Sequence, residues 1–90
     1  MISHEAVATQ RRTSLACPEQ YDGTLTDGRA FYFRYRHGWA SLGLGATVDA
    51  AVWDERETGV TVGAHLDGIF ESDDERNATF AALLAERLTA

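Results

Sequence analysis

Between Tyr21 and Leu44 apolar and polar positions alternate with a period of two, the spacing of strands that bury one face. The run Phe31-Tyr32-Phe33-Arg34-Tyr35-Arg36 leads into His37-Gly38 and then into Trp39-Ala40-Ser41-Leu42-Gly43-Leu44. Glycine supplies the positive φ that a tight hairpin turn requires, so His37-Gly38 predicts that turn. With Arg36 opposite Trp39, Tyr35 falls opposite Ala40, Phe33 opposite Leu42 and Phe31 opposite Leu44. All of these apolar residues then share one face. Tyr32, Arg34, Arg36, Trp39, Ser41 and Gly43 share the other, because side chains alternate along a strand.

The turn upstream is settled by the same criterion. A loop of Asp27-Gly28 alone puts Leu25 on the arginine face, whereas a Thr26-Asp27-Gly28 loop closing in a glycine bulge puts Tyr21, Gly23 and Leu25 with Phe31 and Phe33. Burial of the apolar set selects the longer loop. Pro18 suits the start of the strand rather than its middle. Downstream, residues 50–70 read as a strand, a polar loop at Asp54–Gly59 and another strand. In that last strand Val60, Val62, Ala64 and Leu66 alternate with Thr61, Gly63 and His65, and Ala51 and Trp53 face the valines. Ser72 with Glu75 three residues on has capping-box spacing, and Asp73, Asp74 and Glu75 load the first turn of a predicted helix. Phe80, Leu83 and Leu84 give that helix its apolar stripe. The expected fold is α+β, a small antiparallel sheet of four or five strands in a meander with one C-terminal α-helix packed on one face. It occupies residues 17–90 as a single domain. Residues 1–16 show no clean period, carry Arg11 and Arg12, and are expected to form a flexible N-terminal arm.

Composition sharpens this picture. The chain has 90 residues, 44% of them hydrophobic and 24% charged, which suits one small domain. All eight basic residues are arginine, against fourteen acids, for a net charge of -6. This usage fits GC-rich coding, and the acidic balance argues against general nucleic-acid binding, which shows a basic footprint. The run "GWASLGLGATV" is broken by glycines and far short of the ~20 apolar residues of a membrane span. No signal-peptide pattern follows Met1, so the expected location is the cytoplasm. The lone Cys17 closes no intrachain disulfide and builds no cysteine-rich zinc site.

Candidate chemistry is sparse. His4, His37 and His65 have no carboxylate or second histidine at metal-binding spacing, so no catalytic residue, metal or cofactor is predicted. His37 falls in the turn, and His65 can pair with Asp67. Cys17 has no identifiable base and reads as a neutral thiol. Gly43 and Gly45 do not open a helix as a phosphate loop would; at alternate strand positions they imply close backbone approach or a bulge.

The candidate partner-binding residues are therefore Tyr32, Arg34, Arg36 and Trp39. Tryptophan, tyrosine and arginine dominate interface hot spots, and Arg36 is also placed to stack on the Trp39 indole. The expected function is non-enzymatic binding of another protein, either a host protein or a second copy. Three readings compete with it. Another segment can cover the face, leaving the arginines as a rim. Small single-stranded nucleic-acid binding is the runner-up, but "RAFYFRYR" matches the RNA-recognition strand motif only in part and spends its aromatics on the core face. A small dimeric enzyme would need His37 or His65 to meet a carboxylate from the neighbouring chain.

The segment "CPEQYDGTLTDGRAFYFRYRHGWASLGLG", with Cys-Pro-Glu-Gln-Tyr and Asp-Gly-Arg flanking the first hairpin, resembles small proteins encoded by actinobacteriophages and their actinobacterial hosts. The resemblance covers residues 17–45, and the lysine-free composition accords with such genomes. It implies a phage accessory protein acting in the host cytoplasm and brings no activity or site residues with it.

Overall fold

The alternating apolar residues of the central strands form the middle layer of a three-layer structure. A computed structural model describes residues 1–14, 17–55, 59–64 and 67–89. Five strands, β1 (Val7–Arg12), β2 (Glu19–Leu25), β3 (Ala30–Arg36), β4 (Trp39–Gly45) and β5 (Gly59–Thr61), lie side by side in chain order. Every neighbouring pair is antiparallel. Helix α1 (Val48–Asp54) lies between β4 and β5 in the chain, and helix α2 (Asp73–Thr89) closes it.

The hairpin registers follow the burial argument. Phe31 pairs with Leu44, Phe33 with Leu42, Tyr35 with Ala40 and Arg36 with Trp39. At the other turn Tyr21 pairs with Phe33 and Gly23 with Phe31, and Leu25 N donates to Arg29 O at 2.8 Å, which leaves Thr26, Asp27 and Gly28 as the loop. Gly28 takes φ +92, the left-handed geometry of a glycine bulge. At the second turn both residues are left-handed, His37 at φ 55 and Gly38 at φ 73, as a type I′ hairpin turn requires. Histidine is among the few side chains enriched there, which is why it fits this position.

The inner face packs on α2. Ser72 caps that helix: its Oγ accepts from Glu75 N at 3.1 Å, while the Glu75 carboxylate reaches back to Glu71 N at 3.3 Å. Phe80 meets Phe31 and Phe33 edge-on at 5.6 and 5.3 Å, and Phe70 stacks on Tyr35 at 4.2 Å. Phe80, Leu83 and Leu84 are all buried, and each fully buried side chain of this kind contributes roughly 1.5–3 kcal/mol of transfer free energy.

Three expectations are corrected. Residues 1–14 are not a loose arm: β1 pairs with β2 through a bulge between Val7 and Thr9, and Ile2 is buried in the core. The Gln10 side-chain amide fixes that return, accepting from Ile2 N at 2.9 Å and donating to Ile2 O at 2.8 Å. Second, residues 48–54 are helical where a strand was expected. Thr47 caps α1, its Oγ1 accepting from Ala50 N at 3.2 Å, and Asp49 sits in the first turn. Third, the last strand ends at Thr61. Val62 N and Gly63 N both donate to Gly38 O, at 2.7 and 3.2 Å, and Gly38 N donates to Asp67 O at 2.7 Å, so this segment folds over the hairpin turn instead of extending the ladder. The expected positions of Leu66 and His65 lie outside the described residues.

Candidate functional site

The outer face was expected to present four residues together, and α1 divides them. Gly43 and Gly45 lie on this face, and their missing side chains let the α1 backbone settle directly on β4: a Cβ at Gly43 would overlap Ala51 O and lie 2.9 Å from the Ala51 carbonyl carbon. That contact brings Glu55, the C-terminal cap residue of α1, over the sheet. Its carboxylate is 3% exposed, accepts from Arg34 Nη2 at 3.1 Å and takes a very short hydrogen bond from Ser41 Oγ. A buried carboxylate is tolerated because a cation and a hydroxyl satisfy it together. Arg34 is thereby committed inside the molecule. Tyr32 is half-buried and donates to Gln20 Oε1 at 3.0 Å. Burial raises its phenol above the ordinary value, and Arg34 pulls in the opposite direction.

Arg36 and Trp39 lie beyond the reach of α1, at the turn end of the hairpin. Arg36 is exposed and Trp39 is 46% exposed. The expected stacking between them does not form. Arg36 Nε donates to His37 Nε2 at 3.1 Å, and the indole turns toward β5, where the lack of a side chain at Gly59 makes room for it. Thr61 pairs with Trp39 in the ladder, while Val60, 42% exposed, pairs with Ala40 and lies on the opposite face. The structure thus keeps two of the four predicted residues at the surface and turns the other two into supports.

The remaining polar groups serve the fold. Glu19, 3% exposed, accepts from Tyr21 Oη at 2.6 Å and from Phe70 N at 3.0 Å, with Arg76 Nη1 at 3.8 Å. Burial, helped by the Glu19 hydrogen bond and charge, pushes the Tyr21 phenol up to about 12. On the outer face the exposed guanidinium of Arg11 pairs with Asp22 at 3.2 Å. His4 Nδ1 accepts from Ala6 N at 3.0 Å, and its ring lies 5.5 Å from Phe80. Cys17 is exposed, beside Gly68. His65, expected to pair with Asp67, lies outside the described residues; Asp67 Oδ2 accepts from Ala64 N at 2.8 Å. Among the described residues no group of histidine, cysteine and carboxylate side chains is placed to hold a metal ion, no cavity opens, and no helix is long and apolar enough to cross a membrane.

Sequence reasoning missed Glu55, whose role depends on α1. The signals were present: Thr47 as a cap, Asp49 behind it, Ala51 and Glu55 one helical turn apart, and two alternate glycines in the strand below. Compared with protein-family models, curated proteins and solved structures, the chain matches none of them.

Proposed function

We propose that this domain is a non-enzymatic binding module that captures another protein through the turn end of its central hairpin, with Trp39 and Arg36 as contact residues and Tyr32 and Arg34 as the supports behind them. The observation that carries this reading is the half-exposed indole beside an exposed guanidinium, at the turn end of the β3–β4 hairpin whose outer face α1 covers further along. Aromatic and arginine side chains provide large contact area with a polar handle, which is why a few of them dominate binding energy at interfaces. The resemblance of residues 17–45 to actinobacteriophage and actinobacterial proteins makes a host cytoplasmic protein the natural target of a phage accessory role.

The test separates capture from folding. Arg36→Ala with Trp39→Ala is the appropriate double variant, since Arg34 holds a buried carboxylate and its loss damages the fold. Immobilised wild-type protein, the double variant and a control changed on the solvent side of α2, Ala82→Arg, are challenged with actinobacterial lysate. Loss of a captured protein in the double variant alone, with unchanged circular dichroism, supports the surface. Equal capture by all three rules it out.

A further inference from the structure

Arg36 differs in its partner from five of the other described arginines, while Arg12 is engaged inside the fold, its Nε donating to Ser14 O at 2.8 Å and its guanidinium 5.9 Å from the Tyr21 ring centroid. Among the described residues Arg11, Arg29, Arg34, Arg76 and Arg87 each form an ion pair with an aspartate or glutamate. Arg36 forms none, and its Nε donates to the imidazole Nε2 of His37 at 3.1 Å. The chain has fourteen acids for eight arginines, so an internal carboxylate is the ordinary fate of a guanidinium here. The histidine contact occupies Nε and leaves Nη1 and Nη2 of this exposed side chain without a hydrogen-bond partner among the described residues, and a carboxylate accepts two parallel N–H bonds from such a fork. Directly across the hairpin stands Trp39, 46% exposed, seated against Gly59 and therefore held in place without help from a ligand.

Resting on the protein-binding reading, we infer that the element recognised here is an apolar peptide segment carrying a carboxylate. An apolar side chain lies on the Trp39 indole while the carboxylate takes the Arg36 fork. Charge complementarity favours this occupant over a nucleic acid. A single unpaired guanidinium neutralises one phosphate, and a chain of net charge -6 repels a polyanion, whereas one carboxylate matches one guanidinium. The carboxylate is that of an acidic side chain within the segment, and a chain terminus is the alternative that the titration tests.

The experiment is a titration of the full ¹⁵N-labelled chain, read at the Trp39 indole N–H and the Arg36 Nε–H. The probes are an end-capped pentapeptide of alanine, leucine and phenylalanine with a central glutamate, its glutamine counterpart, the glutamine peptide with a free C-terminus, and a short oligothymidylate. The glutamate peptide is expected to move both resonances and to bind about fivefold more tightly than the capped glutamine peptide, the scale of an exposed ion pair. Tighter binding of the free-terminus peptide than of the capped glutamate peptide overturns the assignment to an acidic side chain, and weaker binding supports it. Arg36→Gln should abolish the preference for glutamate, and Trp39→Ala should abolish binding of both peptides. Equal binding of the capped glutamate and glutamine peptides at Trp39 overturns the carboxylate inference and leaves the surface standing. Shifts confined to other residues overturn the surface as well. Stronger, salt-sensitive binding of oligothymidylate assigns the site to nucleic acid, and no shift with any probe overturns the inference even if the double variant loses its captured protein.

Discussion

Replacing Gly43 with alanine tests how the outer face is built. The added Cβ would overlap Ala51 O, lie 2.5 Å from Glu55 N and lie 2.9 Å from Ala51 C, all backbone atoms of α1 and its cap. No side-chain rotation relieves such a clash, so the helix must lift from β4. Forced overpacking costs about 1–3 kcal/mol. Lifting also draws Glu55 away from Arg34 and Ser41, and a buried hydrogen-bonding group left without its partner costs about 1–3 kcal/mol more. The expected loss is therefore about 4 kcal/mol, a large share of the ~5–15 kcal/mol typical of a domain. At roughly 4–8 °C per kcal/mol for this size, the melting temperature should fall by about 16–32 °C. Urea and thermal denaturation followed by circular dichroism measure the loss. A double-mutant cycle with Glu55→Gln then tests the cause, because perturbations sharing one contact are not additive. A Gly43→Ala protein within ~0.5 kcal/mol of wild type, or one whose cost simply adds to that of Glu55→Gln, would refute the account.

Other perturbations have equally definite outcomes. Tyr21, Tyr32 and Tyr35 all have phenols raised by burial, Tyr21 to about 12, so the folded chain keeps protons that the unfolded chain releases near pH ~10. Their contribution to stability is complete below the unfolded value and is lost as the pH rises above it, through about 12 for Tyr21, and phenolate absorbance in native and denaturing buffer should show the displacement. Arg76→Met removes the cation beside the buried Glu19 carboxylate, where Arg76 is 8% and Glu19 4% exposed in their side chains. The loss should be about 2–4 kcal/mol in urea denaturation, at or below the usual cost of breaking a buried pair because Tyr21 and Phe70 still donate to the carboxylate. Gly59→Ala places a Cβ that would overlap the Trp39 indole and so displaces the half-exposed ring, and a changed indole environment in the fluorescence of a Trp53→Phe background, with little loss of stability, is the expected result.

Period-two burial made the central strands legible because slipping either hairpin by one residue would move a whole set of aromatic side chains to water. The C-terminal helix was equally legible from Ser72, its acidic first turn and the Phe80-Leu83-Leu84 stripe. The N-terminal strand was not, since Ala8, Thr9 and Arg11 on an edge face solvent and show no alternation. What holds it is nonlocal: the Gln10 amide on the Ile2 backbone and the pairing with β2. Residues 48–54 misled for a related reason. Ala51 and Trp53 stand two apart and suggest a strand, yet only Ala51 is buried, and Trp53 points away from the sheet at 68% exposure. The candidate surface was half legible. Parity placed Tyr32, Arg34, Arg36 and Trp39 on one side, but the division of that side depends on a helix recognised only through its glycine landing site.

The contact between Asp54 and Arg87 has a further consequence. Asp54, at the end of α1, accepts from Leu44 N at 2.9 Å on the part of β4 that β5 does not reach, and it also pairs with Arg87 near the end of α2. A seven-residue helix has no independent existence in water, so α1 borrows its persistence from what it touches. One ion pair thus laces opposite sides of the molecule around the sheet border. Trimming the chain's final turn should therefore loosen the distant α1 layer, and the two helices should melt in a single all-or-none step.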